Sequence, residues 1–93
     1  MSSQKLARLY RVRGQVQGVG FRNFVEHAAS ALGVQGYVRN LDDGSVEVYA
    51  LGNSAQLSEL AGLLWKGPRW AEVRGVDESE APPEHHRGFS IRS

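Results

Sequence analysis

The sequence predicts an α+β sandwich in which an antiparallel sheet carries two helices on one face and gains a short extra strand at its C-terminal end. Two apolar stripes recur at the helical period, and the segments between them alternate apolar and polar side chains as strands do. Glycine, proline or aspartate separates most of these segments. With 93 residues and 41% hydrophobic content the chain has material for one modest core, so we expect a single domain spanning residues 1–93.

The first helix follows a strand and a glycine-containing loop. Residues 6–14 mix apolar and arginine side chains in imperfect alternation, which predicts the first strand. After the loop, one helical stripe is formed by Phe21, Phe24, Val25, Ala28, Ala29 and Leu32. Gly33 is placed to end this helix.

The remaining elements complete the order βαββαβ. Residues 34–39 and 46–50 alternate as strands, and Asp42-Asp43-Gly44 between them indicates a tight hairpin. A second helix is capped by Asn53 or Ser54 and ends at Gly67-Pro68. A fourth strand around 71–76, a polar loop over 77–87 and a short closing strand over 88–91 follow. This order is the split βαβ arrangement of the ferredoxin-like sandwich.

The predicted topology brings Asn40 close to the loop after Gly14. Strands one and two run the same way with strand three between them, so their ends lie about 10 Å apart on one edge of the sheet. Asn40 shares the parity of Val34 and Val38 and should therefore point to the helix side of the sheet. A long arginine and an amide can close around a small ligand at this corner.

The segment Gln17-Gly18-Val19-Gly20-Phe21-Arg22 has the composition of an anion-binding loop at a helix N-terminus. Its glycines allow the backbone to turn N–H groups inward, and Arg22 lies in the first helical turn, where the helix dipole disfavours a cation. A bound phosphate would reverse that penalty. A glycine-rich turn with a solvated arginine explains these residues equally well. Nucleotide motifs fail, because position 23 is Asn and no Gly-Lys-Ser/Thr occurs.

Two ordered motifs resemble the signatures of the acylphosphatase family. The first is Gly14-Gln15-Val16-Gln17-Gly18-Val19-Gly20-Phe21-Arg22, and the second is Gly36-Tyr37-Val38-Arg39-Asn40, continuing to Gly44-x-Val46 and Gly52. The resemblance runs from about Leu6 to Ile91. It implies hydrolysis of acyl phosphates, with Arg22 and the N–H groups of Gln17, Gly18, Val19, Gly20, Phe21 and Arg22 binding the phosphoryl oxygens. It also implies that Asn40 positions the attacking water. Leu41 departs from the hydroxyl residue that many members have next to this asparagine.

Hydrolysis of an acyl phosphate requires few catalytic groups, and the sequence offers few. A carboxylate leaves with a conjugate-acid pKa of about 4, so no general acid is needed. Phosphoryl transfer depends mostly on positioning and charge stabilisation. We therefore expect no cofactor, no metal and an in-line attack by water, with the substrate's own phosphate oxygen as the hypothetical proton acceptor. The partners implied are a small acyl phosphate and inorganic phosphate.

Composition limits the other partners. The sequence has no cysteine, eleven basic and ten acidic residues, and neither a signal-like start at Met1–Lys5 nor a membrane-spanning run. We therefore expect a cytoplasmic protein without nucleic-acid or membrane partners, and a monomer by default. The adjacent His85 and His86 are interpreted as part of a solvated loop and not as metal ligands.

Two rival functions stay open. RNA-binding modules share this fold, but Val46-Glu47-Val48-Tyr49-Ala50 offers one aromatic and an acid, a poor base-stacking platform. The stronger rival is a non-catalytic accessory domain of the acylphosphatase type. Among the aromatics, Trp65, Trp70 and Tyr37 are interpreted mostly as core or edge packing. As an alternative, Tyr37 and Tyr49 share a parity that faces solvent and would form an exposed apolar surface.

Overall fold

The computed structural model describes residues 5–93, which form two helices and five strands. The elements are β1 (Leu6–Gln15), α1 (Phe21–Leu32), β2 (Gln35–Asn40), β3 (Val46–Gly52), α2 (Ser54–Lys66), β4 (Glu72–Glu80) and β5 (Phe89–Arg92). The predicted order is confirmed, including the extra C-terminal strand. Met1–Gln4, part of the start that was predicted to lack a signal segment, lie outside the described residues.

The sheet has the strand order β4-β1-β3-β2-β5. β1 is antiparallel to β3 and β4, and β2 is antiparallel to β3. The predicted antiparallel sheet of β1–β4 is thus confirmed, and β5 adds a strand parallel to β2, which makes the whole sheet mixed. The parallel direction arises because residues 81–88 carry the chain from the β4 edge across the sheet to the β2 edge.

The fourth strand is longer than predicted, since residues 77–80 of the predicted polar loop continue β4. Arginines on β1 account for this extension. The Arg13 Nε atom lies 2.9 Å from a carboxylate oxygen of Asp77, and the Arg8 Nε atom lies 3.5 Å from one of Glu78. Opposite charges on neighbouring strands favour strand pairing. β4 is an edge strand, where polar and charged side chains are common, so the polar residues 77–80 continue the strand instead of forming a loop.

The core lies between the sheet and the two helices. The sheet supplies buried residues such as Tyr10, Val12, Val38, Val46 and Val48. The helices supply Phe21, Val25, Ala29, Leu57, Leu60 and Leu64. Asn40 pairs with Val46 and lies two residues beyond Val38, so it lies on this inner face as predicted. Neither helix in residues 5–93 is long and apolar enough to span a bilayer.

The opposite face of the sheet is covered by the segment between β4 and β5. Tyr37 and Tyr49 stack with ring centroids 5.6 Å apart, and the His86 ring tilts against both. The Tyr49 hydroxyl donates to the Pro82 carbonyl at 2.8 Å. Both tyrosines are buried, so the interpretation of Tyr37 as core or edge packing is confirmed and the alternative of a solvent-facing pair is wrong. The prediction of a solvated His86 is also wrong, since its side chain is only 11% exposed.

Tyr10 makes the stability of the fold sensitive to alkaline pH. Its ring is fully buried, and its hydroxyl donates to the Leu57 carbonyl at 3.3 Å. Burial, with a smaller contribution from the Glu78 carboxylate, raises the pKa of Tyr10 from 10.0 to about 12. The folded state thus holds this proton more tightly than the unfolded chain does. The stabilisation is complete below about pH 10 and is lost as the pH rises through about 12.

We therefore expect the free energy of unfolding to fall by roughly 2–3 kcal/mol between about pH 10 and pH 12 through this group. Urea unfolding at several pH values measures the change. In Tyr10→Phe the free energy of unfolding should fall less steeply with pH. Some of the fall should remain, because burial also raises the pKa values of Tyr37 and Tyr49. An equally steep decline in Tyr10→Phe would contradict the assignment.

Candidate active site

A cavity of about 220 Å³ lies where the β1–α1 loop meets the end of β2. It is lined by Val16, Gly18, Gly20, Phe21, Arg22, Asn23, Asn40 and Ile91. The structure thus brings together Gly18, Gly20, Phe21, Arg22 and Asn40 of the predicted site. Gln17 and Val19 are not among the lining residues. Val19 packs against the core instead.

The two loop glycines are required by backbone conformation. Gly18 and Gly20 have φ angles of 74° and 77°, which non-glycine residues rarely adopt. A Cβ atom added to either would meet nothing within 4 Å, so the backbone conformation and not crowding demands glycine. The left-handed turn at Gly20 starts α1 directly at the cavity wall.

The first turn of α1 has the features of an anion site. Gly20 occupies the N-cap position without a side-chain cap, and the turn contains no acidic residue. Backbone N–H groups at this end of the helix have no partners within the helix. Gly20, Phe21, Arg22 and Asn23 all line the cavity, so the positive end of the helix dipole lies beside it.

Arg22 is held by the C-terminal strand. Its Nη1 atom donates to the main-chain carbonyl of Arg92 at 3.1 Å. The side chain of Arg92 packs on the other side of the sheet, with its guanidinium carbon 4.0 Å from the centroid of the Tyr37 ring. Within residues 5–93 no carboxylate forms an ion pair with Arg22. A guanidinium has five N–H donors, so one bond to a carbonyl leaves most of them free for an anion.

Asn40 lines the same cavity and carries a buried acceptor. Its Oδ1 atom is inaccessible to solvent and has no hydrogen-bond partner among residues 5–93. Buried polar atoms in folded proteins are nearly always paired, so an unpaired one indicates a bound water or ligand atom. The acceptor lies on β2, two strands away from β1, whose end begins the glycine loop.

The Gln17 side chain joins the loop to the β2–β3 hairpin, a role that the sequence analysis missed. Its Nε2 atom donates to the carbonyls of Leu41 and Ser45 at 2.8 and 2.9 Å. Leu41 directly follows Asn40, so this amide holds the loop and the asparagine in register. Both acceptors are main-chain carbonyls, which leave no trace in the residue pattern.

Comparison with known proteins identifies the family. The family model described as Acylphosphatase matches residues 8–91. The chain belongs to the acylphosphatase family. An acylphosphatase of Solibacter usitatus is 58% identical over 86 residues, which are 92% of this chain and 90% of that relative. An acylphosphatase structure from Bacillus subtilis matches with a TM-score of 0.91 at 36% identity, covering 95% of this chain and 99% of that one.

The acylphosphatase fold also occurs within a much longer chain. The structure of HypF from T. kodakarensis matches with a TM-score of 0.81 and 33% identity. The match covers 97% of this chain but only 12% of HypF.

Membership assigns the activity. Acylphosphatases are hydrolases that act on acyl phosphates, and this chain hydrolyses the carboxyl–phosphate bond to give a carboxylate and inorganic phosphate. In the part of the chain that the structure describes, no three His, Asp or Glu side chains come together as a metal-binding group.

Proposed function

We propose that Arg22 and Asn40 are the catalytic residues, and that the backbone of Gln17–Arg22 binds the phosphoryl group. The observation that carries the proposal is the shared cavity, in which Arg22 and Asn40 line one space with the first turn of a helix, and the amide oxygen of Asn40 is buried without a partner among residues 5–93. The reaction proposed is an in-line attack of water on phosphorus without a metal ion.

The phosphoryl oxygens are held by the loop N–H groups and by Arg22. The charge of the transferring group spreads over these oxygens in the transition state. Donors that are fixed before the reaction stabilise that charge without reorganisation. The carbonyl of Arg92 restrains the Arg22 guanidinium, and the side chain of Gln17 restrains the loop, so both sets of donors are held in place before the reaction.

The attacking water donates a hydrogen bond to Oδ1 of Asn40. Its oxygen forms the new bond to phosphorus while the bond from phosphorus to the acyl oxygen breaks. The electron pair of the broken bond stays on the carboxylate. Both protons of the water end on the phosphate, which leaves as dihydrogen phosphate. None of the cavity-lining side chains is a carboxylate or an imidazole, which supports a phosphate oxygen as the proton acceptor.

Turnover of benzoyl phosphate by the purified protein in the presence of EDTA tests the proposal. We expect hydrolysis at the same rate with and without the chelator. Phenyl phosphate is the matched control, because phenolate leaves with a conjugate-acid pKa of about 10 and needs an acid that the cavity lacks. Loss of benzoyl phosphate turnover with EDTA, or equal turnover of both substrates, would contradict the mechanism.

The accessory-domain alternative predicts a different result in the same assay. The match to a small part of HypF favours it, whereas coverage of 90% of the Solibacter usitatus relative favours catalysis by this domain alone. We propose that the single domain of residues 1–93 suffices for turnover. Folded protein without activity would support the accessory role.

We further propose that the protein acts in the cytoplasm as a monomer and without a nucleic-acid partner. The absence of cysteine and the near balance of charge support this. Sedimentation of the purified protein should give the mass of one chain over a range of concentrations.

A further inference from the structure

The turn between α2 and β4 carries an exposed tryptophan for which the fold gives no packing reason. The Ala71 N–H group donates to the Pro68 carbonyl at 3.1 Å, so Arg69 and Trp70 occupy the two central positions of a β-turn. The Trp70 side chain is 74% exposed, which corrects its interpretation as core or edge packing. The Arg69 guanidinium carbon lies 5.1 Å from the indole centroid, so the pair forms a cation–π contact.

This turn lies next to the phosphate loop. Glu72, two residues after Trp70, pairs with Gln15, the last residue of β1 before the loop. Gly67, just before the turn, is buried against the first residue of α1, since a Cβ atom added there would lie 3.4 Å from Cε2 of Phe21. The turn is therefore held close to Phe21, the residue between Gly20 and Arg22. Arg69 and Trp70 project from this part of the structure.

In-line chemistry places the acyl group on the side of the turn. The attacking water and the leaving group occupy opposite sides of phosphorus. Asn40 lies on β2, and the strand order puts β4 on the other side of β1 from β2. With water held at Asn40, the acyl group points away from β2 and β5 and toward the β4 side. Ile91, which is on β5, then borders the water and not the acyl group.

The cavity is also too small to enclose a large acyl group. Pockets that enclose drug-sized ligands measure about 300–1,000 Å³, whereas this one measures about 220 Å³. It has room for the phosphoryl group and the start of the acyl group, so a larger acyl group must continue over the surface. One face of the Trp70 indole carries Arg69, and an aromatic acyl group can stack on the other.

We propose that Trp70, backed by Arg69, forms a subsite for the acyl group and favours acyl phosphates with an aromatic acyl group. The inference rests on the proposed function, because it takes its direction from Asn40 as the residue that holds the attacking water. Within residues 5–93 Arg69 forms no ion pair, so its charge also attracts the anionic substrate.

The experiment compares kcat/KM for benzoyl phosphate and acetyl phosphate. Trp70→Ala should lower the benzoyl-to-acetyl ratio about 3- to 10-fold, the loss expected for one aromatic stacking contact. Trp70→Phe should keep most of the ratio. Trp65→Ala is the matched control, because this second exposed tryptophan lies on α2 and not at the centre of the turn, and its ratio should equal that of the unmodified protein.

An unchanged ratio in Trp70→Ala, with acetyl phosphate still hydrolysed, overturns the subsite alone. A fall of the ratio in Ile91→Ala but not in Trp70→Ala also overturns it, since the acyl group would then lie on the β5 side. Failure of the unmodified protein to hydrolyse either substrate instead contradicts the proposed function. Circular dichroism of each variant verifies that the fold is intact.

Discussion

Replacing Arg22 by alanine is expected to abolish both hydrolysis of acyl phosphates and inhibition by inorganic phosphate. We expect kcat/KM to fall about a thousandfold or more, the range reported for arginines that stabilise a transferring phosphoryl group. Inhibition should disappear together with activity, because the same guanidinium holds phosphate in the ground state and the transition state. Initial rates with benzoyl phosphate, at several phosphate concentrations, measure both effects.

Two variants control this experiment. Arg22→Lys keeps the charge but loses the planar fork, so its activity should lie between the alanine variant and the unmodified protein. Arg74→Ala removes an exposed arginine that pairs with Glu72 on β4, and its rate should stay close to normal. Retained inhibition by phosphate in Arg22→Ala would remove this side chain from the phosphate site.

The sequence predicted where the candidate site residues lie in the fold when local rules govern their placement. Two apolar stripes and a hairpin signal were enough for the order of elements, and the parity of β2 placed Asn40 on the helix side. Strand order then brought Asn40 to the glycine loop. These inferences succeed because helix period, strand alternation and turn chemistry depend on neighbours in the chain.

The sequence did not predict features that depend on distant partners. The cover over Tyr37 and Tyr49 comes from residues 81–88, and their polar composition predicts a solvated loop. The side-chain bonds of Gln17 end on main-chain carbonyls 24 and 28 residues away. Alternation also cannot reveal that Trp70 lies at the centre of a turn, where its large side chain is mostly exposed. Each case requires the tertiary structure.

Asn40→Ala should separate catalysis from phosphate binding. We expect kcat to fall about 100- to 1,000-fold, the loss typical of removing one fixed polar group from a transition state. The inhibition constant of inorganic phosphate should change less than about threefold, because the amide holds water and not the anion. The buried Oδ1 atom, which has no partner in residues 5–93, is the structural reason for this division.

Asn23 offers a matched control for this prediction, since it is a second amide that lines the same cavity but is exposed in the first turn of α1. Asn23→Ala should lose much less activity than Asn40→Ala if a buried, oriented acceptor is what the reaction needs. Asn40→Asp keeps the acceptor but adds a negative charge beside the phosphate, so it should weaken phosphate binding as well as turnover. Equal losses in both alanine variants would mean that any nearby amide suffices. Weakened phosphate inhibition in Asn40→Ala would instead mean that Asn40 binds the anion, and the water would then have to be positioned by the loop.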